Sequence, residues 1–127
     1  MIVAGIGSKR GVSRDEVLAA LDAALARAAL TRADLSLIAA PAVKGGEAGI
    51  SEAAARLALP LVLVPQTQLE AVSNRTMTRS ERVVALLRVP SAAETAALAA
   101  CGAKAALLGP RLALGPVTCA LARRGAP

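Results

Sequence analysis

At 127 residues the chain has the size of one domain and is long enough to bury a single core. It is 55% hydrophobic without a single Phe, Tyr or Trp, so no ring can stack on a base or a flavin, and sequence-tolerant single-strand binding loses its usual platform. Fifteen Lys and Arg against nine Asp and Glu give a formal charge of +6, scattered with no run longer than two, which points to an acidic ligand rather than a nucleic-acid stripe; the absence of His removes the commonest general base and metal ligand, and with them a catalytic triad or zinc site.

The first thirteen residues predict a buried strand, a glycine-rich turn and a helix start. Ile2 to Ile6 is an apolar run of the kind a strand covered on both faces shows, and Gly5, Gly7 and Gly11 permit close backbone approach and positive φ. Ser13 and Glu16 form a capping box, with Val12 and Val17 as its hydrophobic staple. The helix amides would then point toward Lys9 and Arg10, an arrangement suited to a carboxylate or phosphate. The same residues also suit a tight turn with two solvated charges.

The helix, from about Arg14 to Ala29, carries Val17, Leu18, Leu21, Leu25 and Ala28 on one stripe, as a helix covering a sheet does. Thr31 to Asp34 offers a second capping pattern, and Leu35 to Ala40 reads as a strand stopped by Pro41. The loop from Ala42 to Gly49 holds Lys44 and Glu47 and leads into a helix with Ile50, Ala53, Ala54 and Leu57 inward. Leu61 to Val64, between Pro60 and Pro65, predicts a third buried strand, and Gln66 to Val72 a short helix. Ser73 to Thr78 is polar and has the composition of a flexible loop, carrying Arg75 and leading to Arg79. Thr78 with Glu81 and Ser91 with Glu94 predict two further capped helices, the first with Val83, Val84 and Leu87 inward and the second ending at Gly102. Ala105 to Leu108 and Val117 to Ala122 read as the last strands, joined by a short connection into a hairpin with an antiparallel edge strand.

Cys101 and Cys119 lie too far apart for a C-x-x-C pair and sit among Ala and Leu, as small buried side chains. Met1 leads straight into a strand, and the longest uncharged stretch, Leu57 to Leu69, is interrupted by two prolines. Neither a signal peptide nor a membrane span is expected, and the expected compartment is the cytoplasm.

The alternation predicts a single α/β domain over 1–127: an open, mostly parallel sheet with helices on both faces and a C-terminal antiparallel hairpin strand. Ligands of such sheets bind beyond the carboxyl ends of the strands. The loops expected there carry Lys9, Arg10, Lys44, Arg75, Arg79 and Arg111, with Glu47 as their one carboxylate. A dinucleotide fits poorly: the opening spacing is G-x-G-x-x-x-G, and Ala39-Ala-Pro41 stands where a ribose-binding acid belongs. No P-loop motif occurs, so no cofactor and no metal are expected.

At these loops the chain resembles the small cobalamin-biosynthesis proteins called CobE, which are similar to the C-terminal domain of CbiG. The resemblance rests on Gly5-Ile-Gly-Ser-Lys-Arg-Gly11, on Lys44 with Glu47, on Val89-Pro-Ser-Ala-Ala-Glu94 and on Val117-Thr-Cys-Ala-Leu-Ala-Arg123, in that order along nearly the whole chain. Two positions depart from the family pattern: Ser8 stands where Cys is usual, and Arg111 follows Pro110 where Lys is usual. Both substitutions fit binding better than thiol or Schiff-base chemistry.

The resemblance implies a role in building the corrin ring of vitamin B12. The first expectation is an accessory protein that binds a polycarboxylated corrin or precorrin intermediate in a basic crevice, with another corrin-pathway enzyme as a partner and neither nucleic acid nor membrane. The candidate contacts are Gly5, Gly7, Ser8, Lys9, Arg10, Gly11, Lys44, Glu47, Arg111 and Thr118. The alternative is a hydrolase acting on a precorrin lactone, as CbiG does, with Glu47 activating water, the cations holding an oxyanion, and another subunit completing the site.

Overall fold

The opening apolar run forms β1 (Ile2–Ser8), whose residues as far as Gly7 are buried. The structure, a computed structural model, describes residues 1–125. The remaining strands are β2 (Leu37–Pro41), β3 (Leu61–Val64), β4 (Ala106–Leu107), β5 (Leu112–Leu114) and β6 (Val117–Arg123). The helices are α1 (Arg14–Arg27), α2 (Ala48–Leu57), α3 (Gln66–Ala71), α4 (Glu81–Leu87) and α5 (Ala92–Cys101). The sheet order is β3-β2-β1-β6-β4, with β5 also on β6; β1, β2 and β3 run parallel, and β6 is antiparallel to β1, β4 and β5.

Helices cover both faces, as the alternation predicts. On one face α1 and α2 close a core of Ile2, Ala4, Ile6, Leu21, Ile38, Ile50 and Val117; on the other α5 lies on Val3, Ala39, Ala120 and Ala122. The period-two alternation of a strand sorts the odd and even residues of β1 between these layers. Eight of the ten residues of α5 are buried, so it is a central helix rather than a surface one. Its Ala93, Ala96 and Ala97 let it sit almost on the backbone of β1: a Cβ on Gly5 would lie 2.1 Å from the Ala93 carbonyl oxygen and 2.7 Å from the Ala97 nitrogen. Gly5 is therefore demanded by helix packing. Of the opening glycines, Gly11 is the one with positive φ, at 75°.

Several expectations are corrected. The second strand starts at Leu37, because Leu35 terminates a 3-10 turn over Arg32–Asp34, and it includes Pro41. The third strand is the sheet edge, with Val62 and Leu63 exposed, and its bracketing prolines suit an edge. The C-terminal connection contains β5, so the hairpin turns at Gly115 and Pro116 and β6 lies inside the sheet, while β4 and β5 share its outer edge. Ser73 to Thr78 is fastened rather than free: it begins with a 3-10 turn over Ser73–Arg75, Arg75 donates to the Ala105 carbonyl, and Met77 and Thr78 donate to Glu94. The cap of α4 is Ser80, which accepts from the Val83 amide; Thr78 spends its hydroxyl on Glu94. No helix among the described residues is long and apolar enough to cross a membrane.

Candidate ligand-binding cleft

The carboxyl ends of β1 and β2 meet the start of β6 at one edge of the sheet, and a cleft of about 700 Å³ opens there. Its floor is Gly7, Thr118 and Ala92; the Thr118 hydroxyl fills the space a Gly7 side chain would need, 2.6 Å from where that Cβ would sit. One wall is the turn after β1, with Lys9 and Arg10, anchored by the Lys9 amide donating to the Pro116 carbonyl at 3.0 Å. Val43 and Lys44, after β2, form the second. Ser80 and α4, through Arg82, Val83, Leu86 and Leu87, form the third, and Arg111 with the Gly115–Pro116 turn completes the ring.

The charge of this ring is one-sided. It holds Lys9, Arg10, Lys44, Arg82 and Arg111, and none of its described lining residues is Asp or Glu. The ion pairs among the described residues are Arg14 with Asp15, Arg32 with Asp22 and Arg79 with Glu81, so all five cations lack an ion-pair partner there. Between the cations the surface is apolar: Leu86 is 69% exposed and Val43 67%. A rim of cations around apolar walls fits a broad ligand with an apolar body and acidic arms.

Seven of the ten sequence-predicted contacts line the cleft: Gly7, Ser8, Lys9, Arg10, Lys44, Arg111 and Thr118. Ser8 Oγ is shut off from solvent and makes no hydrogen bond among the described residues. The other three lie outside the lining. Gly5 lies under α5; the Gly11 amide donates to Glu47 Oε2 at 3.0 Å; and Glu47 stands at the N-cap position of α2 without a capping hydrogen bond from its side chain. Glu47 thus ties the first turn to the second loop through one carboxylate oxygen.

The start of α1 is also occupied by its own side chains. Glu16 Oε1 accepts from the Ser13 amide at 3.0 Å, and Ser13 Oγ accepts from the Glu16 amide at 3.1 Å. The unpaired positive charge at this edge is therefore that of the ring of side chains, and this helix terminus is satisfied by its own cap. Arg75 and Arg79 stay out of the ring, one held by the Ala105 carbonyl and the other paired with Glu81 at 2.8 Å.

Sequence reasoning missed the α4 wall. Val83 and Leu87, read as inward, do pack on the second core, but they are only half-buried and also line the cleft, and no residue of α4 is fully buried. The available signal was Arg82 beside Leu86, four residues apart on one helical face. Neither thiol lines the cleft. Burial pushes Cys119 up to about 12 against a weaker opposing pull from Arg27, and burial also raises Cys101 against Arg124 and the N-terminus.

The comparisons agree with the motifs. Residues 2–122 match the family described as Cobalamin synthesis G C-terminus. The chain is 34% identical over 121 residues to Protein CobE of Sinorhizobium sp, spanning 95% of this chain and 79% of that one. Its fold superposes on the crystal structure of CobE, a protein from the cobalamin (vitamin B12) biosynthetic pathway, with a TM-score of 0.94 and 30% identity over 98% of this chain and 90% of that one. It also matches cobalamin biosynthesis protein chiG from Agrobacterium tumefaciens str. C58, with a TM-score of 0.77 and 41% identity over 96% of this chain and 97% of that one. Four motifs in order, a matching family over nearly the whole chain and a shared fold place this protein in cobalamin biosynthesis, as a member of the family of CobE and the CbiG C-terminal domain.

Proposed function

We propose that the cleft binds a polycarboxylated corrin or precorrin intermediate in the cytoplasm and holds it for another enzyme of the pathway. The observation that carries this is the ring of five cations, unpaired among the described residues, around apolar walls with no carboxylate in the described lining. Corrin intermediates present an apolar macrocycle edged by acetate and propionate arms, which matches such a ring in both respects. Arg82 and Arg111 offer planar forks to carboxylates; Lys9 and Lys44 act as compact point charges. The walls of Val43, Val83, Leu86 and Leu87 would cover part of the macrocycle face and leave the rest open to a second protein.

Binding is favoured over lactone hydrolysis because Glu47, the carboxylate that would activate water, is not among the lining residues and accepts from the Gly11 amide. The test is an absorbance titration with cobyrinic acid and with its neutral methyl ester. The acid should bind in a salt-sensitive manner, since exposed charges are screened over about 8 Å at physiological ionic strength, and the ester at least tenfold more weakly. Equal affinity for both refutes electrostatic recognition. Mass spectrometry of a precorrin lactone after incubation should show no turnover by the chain alone; conversion lost in Glu47→Gln would restore the hydrolase.

A further inference from the structure

Glu94 is the one fully buried carboxylate among the described residues, with 0% exposure, and no cationic side chain meets it. Its four hydrogen bonds come from two separate segments. Oε1 accepts from the Met77 amide at 2.7 Å and the Thr78 amide at 3.1 Å; Oε2 accepts from the Thr78 hydroxyl at 2.8 Å and the Arg111 amide at 2.9 Å. A buried carboxylate is costly unless its lone pairs are satisfied, and here they are satisfied by groups that build the cleft. The third residue of a helix is also where the helix dipole favours a negative charge. The cap of α5 does not need this side chain, because Ser91 Oγ already accepts from the Glu94 amide at 3.2 Å.

What the carboxylate holds is the approach to two parts of the cleft wall. Thr78 lies two residues before Ser80, the N-cap of α4, and Arg111 is itself a wall residue. No residue of α4 is fully buried, and only Val83 and Leu87 pack on the core, so attachments near its ends add to its hold: the Ser80 amide to the Pro90 carbonyl at 2.9 Å, Gln66 Nε2 to the Leu87 carbonyl at 2.6 Å, and the Glu94 bonds just upstream. We propose that Glu94 is a positioning residue, a clasp that sets Arg82 and Arg111 at the spacing the ligand requires without touching the ligand. This rests on the cleft binding a polycarboxylate as argued above.

The test is a double-mutant cycle on the full chain with cobyrinic acid as the probe. Glu94→Gln keeps the volume but turns one acceptor into a donor facing donors. It should weaken binding about tenfold in the wild-type background and less than about threefold when Arg82 and Arg111 are already Ala. Amide exchange at Met77, Thr78 and Arg111 should speed up while β1 stays protected. Equal losses in both backgrounds, or unchanged affinity, would show that Glu94 serves stability alone and overturn the proposal. If Glu94→Gln does not fold, Thr78→Val removes one of the four bonds and should give the same pattern at smaller amplitude; its absence there overturns the clasp equally. If the wild-type chain does not bind cobyrinic acid, ligand recognition as proposed is refuted, and the clasp is decided by exchange: faster exchange confined to the three amides supports it, and unchanged exchange overturns it.

Discussion

Replacing Lys9 and Arg10 together by Ala separates an anion-binding wall from an ordinary turn. Both side chains are exposed, line the cleft and lack an ion-pair partner among the described residues, so their removal takes nothing from the core. The melting temperature should stay within about 1 °C, as for surface substitutions generally. Affinity should fall. An exposed ion pair is worth roughly 0.2 to 1 kcal/mol and a hydrogen bond to a charged group about 1.5 to 3, so each side chain at an open cleft is worth about 1 kcal/mol. The pair then contributes about 2 kcal/mol, roughly thirtyfold in Kd.

The assay is an absorbance titration with cobyrinic acid, repeated in high salt, where the Debye length falls to about 3 Å and the difference should narrow. The control is Arg123 and Arg124 replaced by Ala. Arg123 pairs with Ile2 at the far end of β6, so this variant loses the same charge at the opposite edge of the sheet. Equal weakening in the two variants would show that net charge, and not the cleft, governs binding. No weakening in either would refute the electrostatic account.

Two further outcomes test the scaffold. Gly5→Ala forces β1 and α5 apart by about 1 Å, since its Cβ would meet the Ala93 oxygen at 2.1 Å; overpacking of this kind costs about 3 kcal/mol, or roughly 10 °C in melting temperature, and a change under 1 °C would refute the close-packing argument. Cys119 stays protonated in the fold up to about 12, whereas its ordinary value is 9.0, so above pH 9 the unfolded chain loses a proton that the folded chain keeps. Its stabilising contribution is complete below pH 9 and is lost as pH rises toward 12, with roughly 1 kcal/mol gone by pH 10. Urea denaturation at pH 8 and pH 10 should therefore show a shallower alkaline loss for Cys119→Ala than for wild type, and equal losses would refute the assignment.

The parts of this fold legible in the sequence are those fixed by local chemistry. Ser13 with Glu16 specifies both halves of a capping box, and the structure has both bonds. Gly5, Ala93 and Ala97, by contrast, lie far apart in the chain and meet only after folding, so periodicity identifies each as small without revealing the contact. The capping pattern at Thr78 and Glu81 misleads because Ser80, two residues later, is the actual cap; long-range pairing with Glu94 draws the Thr78 hydroxyl away from the helix start. The same pairing explains why a polar stretch with a loop's composition is fastened. For the cleft, loops at the carboxyl edge of a parallel sheet lead to Lys9, Arg10, Lys44 and Arg111, whereas the α4 wall is hidden because Val83 and Leu87 both pack on the core and line the cleft, and their spacing reveals only the first role.

The two departures from the family pattern acquire a physical meaning once placed. Arg111 keeps the positive charge of the usual Lys but brings a guanidinium, and its backbone amide is fixed by Glu94, so position and charge persist while amine nucleophilicity does not. Ser8 lies at the end of β1 with its oxygen shut away from water, where a hydroxyl offers a hydrogen bond but little nucleophilicity without a base. The rim carries five like charges and no carboxylate among its described lining, an arrangement that repels itself in the free protein and whose repulsion an acidic ligand would relieve. None of those five side chains belongs to the hydrophobic core, so the fold can hold them in this configuration without the rim stabilising it. On the function proposed above, their clustering follows from charge complementarity to an acidic ligand, while the close packing of β1 on α5 lies beneath the floor residues Gly7 and Ala92.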